Sequence, residues 1–265
     1  MESINAAEIF RAISNIETFD PFCMKERVTI ADIRKRLLLD ITKARNWSKE
    51  KIFCKLVDEF TMRAARGETG SRFTNFYDKY PDSDVWHLDE SEFKKIFKGK
   101  RFADRDAQVA LECREVFIKK YGSDWNKYFD ESEKLREKNN FEDDPFLKIK
   151  YVGFKTRDLG LESFSKDFIA VDIHIRRTLF RIGLIIKGYQ YGIEIPNGAD
   201  NNRDYLNFVS ICRKIGEEAN ISLMEIDKSL WHLGREFCGS EPKCNKCILA
   251  IKKLCAFKHR FILNE

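Results

Sequence analysis

Apolar residues recur at intervals of three and four along most of the chain, and this spacing most restricts the folds open to it. In residues 29–47 they form one stripe along a helix, made of Ile30, Ile33, Leu37, Leu38, Ile41 and Ala44. Similar stripes cover residues 50–63, 71–79, 105–120, 155–164, 173–187, 202–218 and 224–237. No segment shows the sustained alternation of a half-buried strand. The pattern therefore predicts an all-α protein with little or no sheet.

The composition suits a folded helical protein in a reducing compartment. Hydrophobic residues make up 43% of the 265 residues, and the helix breakers are scarce, with 13 Gly and 5 Pro. No apolar run approaches the ~20 residues of a membrane span. The N-terminus lacks the basic start and apolar stretch of a secretory signal. We therefore expect a cytoplasmic or nuclear protein, not a secreted one, whose eight cysteines serve another purpose than disulfides.

Four cysteines stand close together near the C-terminus, at Cys238, Cys244, Cys247 and Cys255. Four thiolates can hold zinc or an iron–sulfur cluster. Structural zinc sites typically use two Cys-x-x-Cys pairs that are a dozen or more residues apart. Here one tight pair has a single cysteine on each side, which favours one [4Fe–4S] cluster, with zinc as the alternative. The other four cysteines lie far apart, and we expect most of them to be small apolar core residues.

The segment 149–155, Ile-Lys-Tyr-Val-Gly-Phe-Lys, lies between two helical stretches. Gly153 allows the backbone to turn and its amides to approach a phosphate closely. Lys155 then stands at the start of the next helix, where the helix dipole disfavours a positive charge. This favours the neutral amine that a Schiff-base nucleophile needs. The alternative interpretation is that Lys155 is an ordinary surface lysine.

Asp172 follows the apolar run 168–171 and precedes a basic amphipathic helix. As a residue just before a helix, it can be a simple N-cap. The helix behind it carries a basic cluster of His174, Arg176, Arg177, Arg181 and Lys187, and a second cluster comprises Lys94, Lys95, Lys98, Lys100 and Arg101. Clusters of this kind suit a phosphate backbone, although a solvated surface explains them equally well.

Three motifs in order resemble the endonuclease III family of DNA glycosylases. Residues 171–177, Val-Asp-Ile-His-Ile-Arg-Arg, are similar to its Val-Asp-Thr-His-Ile-x-Arg. Residues 151–156, Tyr-Val-Gly-Phe-Lys-Thr, resemble its hairpin Gly-Val-Gly-Arg-Lys-Thr. Residues 233–238, Leu-Gly-Arg-Glu-Phe-Cys, resemble its entry into the iron–sulfur loop.

The resemblance implies the all-α helix-hairpin-helix DNA glycosylase fold, with two domains that flank a cleft. Residues 25–166 would form a six-helix barrel domain that contains the helix-hairpin-helix. Residues 1–24 and 167–265 would form the iron–sulfur cluster domain, with a [4Fe–4S] cluster on the four cysteines. Lys155 and Asp172 would then face each other across the cleft.

The function implied by the resemblance is base-excision repair by a DNA glycosylase with AP lyase activity. Lys155 would displace the damaged base through a Schiff base, β-elimination would cut the strand, and Asp172 would take up the proton of the amine. The partner would be double-stranded DNA with a damaged or mismatched base, bound by a monomer. The implied DNA contacts are Lys150, Val152, Gly153, Arg66, His174 and Arg177.

The chain departs from the family pattern where DNA is expected to bind. Tyr151 replaces the first hairpin glycine, Lys150 replaces the usual proline, and Arg66 stands where a gap-filling glutamine is expected. Two other functions therefore stay open. One is a monofunctional glycosylase in which Asp172 activates water, and the other is a non-catalytic nucleic-acid-binding module. The lesion is also open: oxidised pyrimidines are usual in the family, and oxidised purines, deaminated bases and mismatched thymine are alternatives.

Overall fold

The computed structural model describes residues 5–19, 26–62, 71–137, 140, 143–184 and 202–256. These ranges contain twelve α-helices and one two-stranded ribbon. The helices are α1 (Ala6–Ser14), α2 (Ile30–Ala44), α3 (Lys49–Phe60), α4 (Arg72–Lys79), α5 (Glu90–Ile96), α6 (Ala103–Tyr121), α7 (Trp125–Glu137), α8 (Phe154–Glu162), α9 (Ile173–Ile182), α10 (Asn202–Ala219), α11 (Leu223–Glu236) and α12 (Ile248–Ile251). The antiparallel ribbon pairs β1 (Glu17–Phe19) with β2 (Arg27–Thr29). Short 3₁₀ helices cover Pro145–Lys148 and Cys244–Lys246.

The predicted all-α architecture is confirmed, and the eight predicted helical stretches lie close to helices of the structure, whereas α1, α7 and α12 were not predicted. A local sequence signal starts α5, where Asp89 and Glu92 form a reciprocal capping box. Helix α9 ends earlier than its predicted bound of 187, because Gly183 adopts a left-handed φ of 95°. The predicted loop 188–200 lies outside the described residues. None of the helices in the described ranges combines the length and apolar character that crossing a bilayer requires.

The chain divides into two compact units. Unit 1 comprises Met1–Leu39 and Lys166–Glu265, and unit 2 comprises Asp40–Ser165. The first boundary therefore falls between Leu39 and Asp40, later than the predicted start of the barrel domain at residue 25. The reason is visible at the start of α2, where Arg34 forms an ion pair of 2.5 Å with Glu225 and a hydrogen bond of 2.8 Å with Ser14. These contacts attach the first half of α2 to unit 1.

The core of unit 2 is built from aromatic side chains. Phe73 on α4 meets Phe53, Phe93 and Phe97 edge-on, with ring centroids 5.4–6.1 Å apart. All four rings are fully buried. Edge-to-face pairs contribute about 0.5–1.5 kcal/mol each beyond the area they bury. This packing joins α3, α4 and α5 into one aromatic core.

A buried histidine lies in the core of unit 1. His232 on α11 is 1% exposed, and its Nδ1 atom lies 3.4 Å from the hydroxyl of Thr18. Burial lowers the pKa of His232 to about 3, and the positive charges of Lys228, Arg235 and Arg36 act in the same direction. In the folded protein, His232 is therefore still neutral near pH 6.5, where the same residue of the unfolded chain takes up a proton.

Acid should destabilise the protein through this residue. Because the folded pKa of His232 is depressed, its contribution to stability is present above pH ~6.5 and is lost as the pH falls toward 3. We expect His232 to lower the free energy of unfolding by about 2 kcal/mol between pH 6.5 and pH 5. Urea titrations at both pH values should show a smaller decrease for His232→Leu. The same dependence in His232→Leu as in wild type would contradict this assignment, and the exposed His87→Ala variant is the control.

Candidate functional site

The hairpin segment, residues 149–153, connects the 3₁₀ helix Pro145–Lys148 to α8. Gly153 is the N-cap of α8, and its N–H donates to the hydroxyl of Thr156 over 3.0 Å. The first intrahelical hydrogen bond runs from Arg157 N to the Gly153 carbonyl. Lys155 is the second residue of the helix and is exposed. The predicted nucleophile therefore lies in the first turn of a helix, whose amides precede the intrahelical ladder and are suited to an anion.

Tyr151 adopts a left-handed backbone conformation in the hairpin segment, with φ at 72°. This is the position where the family hairpin has glycine, for which the conformation carries no steric penalty. For a residue with a Cβ it costs about 1–2 kcal/mol. The Tyr151 ring lies under the Arg105 guanidinium, whose Cζ is 4.9 Å from the ring centroid. The hairpin segment therefore has, at Tyr151, the left-handed backbone that glycine adopts without steric penalty.

The buried side of α8 carries a complete ionic network. Arg157 is 2% exposed and donates to Asp158 through Nε (2.9 Å) and Nη2 (2.6 Å). Its Nη1 donates to Asp144 over 3.4 Å, and Asp144 also accepts from Ser132 (3.1 Å) and Tyr128 (3.3 Å). Burial raises the pKa of Asp144, and Arg157 opposes this effect. Sequence reasoning missed this network, because nothing in the pattern marks these charged residues as buried.

Gly160 lets α8 approach α3 closely. A Cβ atom at this position would lie 2.5 Å from Cε1 of Phe60 and 3.1 Å from Cδ2 of Leu56. Both side chains are fully buried, so neither has room to move away. The helix that presents Lys155 is therefore positioned by backbone-to-ring contact.

Asp172 is the N-cap of α9, which is the alternative that the sequence left open. Its Oδ1 accepts the backbone N–H of His174 (2.8 Å) and of Ile175 (3.0 Å), while Oδ2 takes no part in the cap. The same helix packs against α11 at Gly234, where a Cβ would lie 2.9 Å from Cβ of His174. The cap orients the carboxylate at the start of α9 and leaves Oδ2 outside the capping hydrogen bonds.

The predicted DNA contacts have different surroundings. Lys150 and Gly153 are exposed, and a Cβ on Gly153 would meet nothing within 4 Å. Val152 is 6% exposed, so its side chain belongs to the core of unit 2. His174 and Arg177 are half-buried, and Arg66 lies outside the described residues.

Several members of the basic clusters are structural. The amine of Lys100 is buried in an ion pair of 3.0 Å with Asp106. Arg176 is 5% exposed and lies over the ring of Phe208. Arg181 is directed toward the cysteine segment, and Lys187 lies outside the described residues. Lys100, Arg176 and Arg181 therefore serve the fold, and neither of the two open interpretations of the clusters describes them.

The cysteine segment 238–255 is organised around Arg181. The guanidinium donates through Nη1 to the carbonyl of Gly239 (2.5 Å), to the carbonyl of Cys238 (3.3 Å) and to Cys238 Sγ (3.7 Å). The thiol of Cys255 donates to the Arg181 carbonyl over 3.4 Å. Burial raises the pKa of Cys238, and Arg181 acts against it. Two of the four predicted ligands therefore contact the same arginine.

The four cysteines are the donor type that an iron–sulfur cluster uses, but the structure does not gather them into one site. All four cysteines are free thiols, with Cys247 and Cys255 buried and Cys238 and Cys244 half-buried. Within the described part of the chain, no three His, Cys, Asp or Glu side chains are grouped so that they could hold a metal ion. Four thiolates are the usual ligands of a [4Fe–4S] cluster, and hydrogen bonds to its sulfurs tune it. Arg181 contacts the sulfur of one of them, Cys238, over 3.7 Å.

The chain is similar in sequence to a characterised DNA repair enzyme. It is 30% identical over 193 residues to the 8-oxoguanine DNA glycosylase/AP lyase of Methanocaldococcus jannaschii, a match that covers 71% of this chain and 79% of the relative. No family model matches the chain.

Several solved structures resemble it in fold. The structure of the Methanocaldococcus jannaschii 8-oxoguanine glycosylase/lyase, in complex with 15mer DNA containing 8-oxoguanine, has a TM-score of 0.57 at 24% identity, over 77% of this chain and 89% of that one. A trapped endonuclease III–DNA covalent intermediate has a TM-score of 0.55 at 17% identity, over 89% of this chain and 99% of that one. The helix-hairpin-helix DNA glycosylase fold predicted from the motifs is therefore confirmed.

The Gly160→Ala substitution should destabilise the protein, although alanine usually stabilises a helix relative to glycine. The added methyl group overlaps the buried ring of Phe60, and overpacking of this kind costs about 1–3 kcal/mol. Urea unfolding measures the change. Phe60→Leu makes room, so the double variant should lose less than the sum of the two single losses. Additive losses would show that the two residues do not clash.

Proposed function

The chain belongs to the helix-hairpin-helix DNA glycosylase superfamily, and we propose that it excises 8-oxoguanine from double-stranded DNA and cleaves the strand at the abasic site. The identity of 30% to an 8-oxoguanine DNA glycosylase/AP lyase, over 79% of that enzyme, carries this proposal. An oxidised purine is accordingly favoured over the oxidised pyrimidines that are usual in the endonuclease III family. Because a base in the duplex cannot be reached, the nucleotide must first leave the stack, which is easiest for a damaged or mispaired base.

Lys155 is the proposed nucleophile. Its free amine forms a bond to C1′ of the sugar while the glycosidic bond breaks, and the base leaves with the bonding electrons and a proton. The nitrogen then loses a proton, and the C1′–O4′ bond breaks as O4′ takes up a proton, which leaves an iminium that acidifies the C2′ hydrogen. Removal of the C2′ proton expels the 3′ phosphate by β-elimination. Water then hydrolyses the iminium and releases Lys155. The exposed position of Lys155 in the first turn of α8 supports this role.

Asp172 is the proposed proton acceptor and electrostatic partner. Its Oδ1 is held by two backbone N–H groups at the start of α9. The second oxygen is outside the cap and can accept the proton that the amine loses, or offset positive charge that develops on the sugar. The helix cap therefore also orients the carboxylate for its reaction.

The four cysteines are proposed to hold a [4Fe–4S] cluster with a structural role. When bound, it would join Cys238, Cys244, Cys247 and Cys255 and so brace the segment that follows α11. Arg181 would offset the negative charge of four thiolates. The exposed lysines of this segment would then face DNA phosphates, and they are Lys243, Lys246, Lys252 and Lys253.

Borohydride trapping tests the Schiff base. The wild-type protein, reduced in the presence of a duplex with 8-oxoguanine opposite cytosine, should form a covalent adduct and cut the strand. Lys155→Ala should form no adduct, and its excision rate should be lower by about 10³-fold or more, because the nucleophile is lost. Denaturing gels measure adduct and cleavage together.

Matched variants separate the alternatives. Lys119→Ala removes an exposed lysine from α6 of the same unit and should behave as wild type. Asp172→Asn keeps a capping oxygen but loses the base, and should slow excision by about 10²–10⁴-fold. Base release by Lys155→Ala without strand cleavage would indicate a monofunctional glycosylase. Salt-sensitive binding of every duplex with no excision would indicate a binding module. Adducts with thymine glycol only would overturn the choice of substrate.

Iron analysis tests the cofactor. The purified protein should contain about four iron atoms per chain and absorb visible light. Cys244→Ala should lose most of the iron, whereas Cys212→Ala should retain it, because Cys212 is a fully buried residue of α10. One zinc ion per chain and no iron would replace the cluster with the zinc alternative.

A further inference from the structure

The surface beside the hairpin segment carries three cations and two aromatic rings in contact with one another. We call it the hairpin patch, and it consists of Arg101, Phe102, Arg105, Lys150 and Tyr151. Arg105 Cζ lies 4.9 Å from the ring centroid of Tyr151 and 5.1 Å from that of Phe102. Arg101 Cζ lies 5.2 Å from the same Phe102 ring, and the amine of Lys150 lies 5.1 Å from the Tyr151 ring. All three cationic residues are exposed.

The carboxylates near the hairpin patch have other partners. Asp106 is buried in an ion pair, and Asp104 lies 3.5 Å from the amine of Lys94. Glu112 accepts the backbone N–H of Lys150 over 2.9 Å, which attaches the hairpin segment to α6. Among the residues that the structure describes, no carboxylate forms an ion pair with the three cations of the patch. Their charge is therefore directed to solvent.

Arg105 is the best placed of the three. A guanidinium stacked on an aromatic ring keeps its N–H donors in the plane, where they can reach a phosphate in a fork. The ring beneath it belongs to the residue with the left-handed backbone, at the position where glycine would be unstrained. Strained residues of this kind cluster at ligand-binding sites. The Tyr151 ring therefore fixes the position of the Arg105 guanidinium beside the hairpin segment.

We propose that Arg105, seated on the ring of Tyr151, binds a DNA phosphate beside the hairpin segment. This inference rests on the proposed function, since it adds a backbone contact to the same DNA site. The Tyr151 ring, at the position of the family's hairpin glycine, holds the positive charge of Arg105 beside the hairpin segment. Tyr151 acts as a positioning residue, and Arg105 makes the contact.

Fluorescence anisotropy tests the proposal. The probe is a duplex with a tetrahydrofuran abasic analogue, which cannot form a Schiff base, at salt concentrations of about 50–200 mM. Arg105→Ala should weaken binding by about fivefold and reduce the slope of log K against log [salt] by roughly 0.9, the value for one phosphate. Lys119→Ala removes an equal charge from α6 outside the hairpin patch and should leave the slope unchanged.

Variants of Tyr151 test its role in positioning Arg105. Tyr151→Phe keeps the ring and should bind as wild type. Tyr151→Gly suits the backbone and should fold, yet it should lose part of the affinity. The double variant Arg105→Ala/Tyr151→Gly should bind DNA no more weakly than Arg105→Ala alone. Additive losses would overturn the positioning role of Tyr151.

Two outcomes separate this inference from the proposed function. If Arg105→Ala keeps the wild-type slope while the wild-type protein binds DNA and is trapped through Lys155, the inference about Arg105 is wrong and the proposed function stands. If the wild-type protein binds none of the duplexes, the proposed function is wrong, and the inference is overturned with it.

Discussion

Arg157 needs an anionic partner on each side, because its guanidinium lies inside unit 2, away from water. Asp158 and Asp144 supply these partners, and Tyr128 and Ser132 satisfy the remaining demand on Asp144. Removing one member of such a buried pair typically costs about 3–5 kcal/mol, since the other charge stays behind. The network joins α7, the 3₁₀ helix Pro145–Lys148 and α8. The network therefore helps to position the first turn of α8, on which Lys155 lies.

The two proposed reacting groups are presented in a similar way. Each stands at the start of a helix, and each helix packs closely against a neighbour through a glycine, Gly160 for α8 and Gly234 for α9. Packing backbone against side chain leaves little freedom for sliding, because protein interiors are close-packed and respond to a single added methyl group. Caps then determine where each helix begins. Rigid seating of this kind suits chemistry in which small displacements of a reacting group are costly.

Local sequence signals were sufficient for most of the helices, although α1, α7 and α12 were not predicted. The three- and four-residue spacing of apolar side chains predicted eight of the twelve helices in the described ranges, and the capping box of Asp89 and Glu92 marks the start of α5. The short ribbon was missed, since strands of three residues are too short to show alternation. Charged residues were the main source of error. The pattern shows that Lys100, Arg157 and Arg176 are charged, but whether a charge is solvated or buried depends on partners that are distant in sequence.

The sequence by itself determined the all-α class, the hairpin-to-lysine order, the aspartate before α9 and the cysteine segment, because each depends on spacing within a few residues. The tertiary structure decided which cations serve the fold and which face solvent. Lys100 and Asp106 are six residues apart, yet their pair is buried only because the unit folds around it. Arg105 and Tyr151 are far apart in sequence and meet only when α6 packs against the hairpin segment. Such contacts depend on helix packing, which no local pattern encodes.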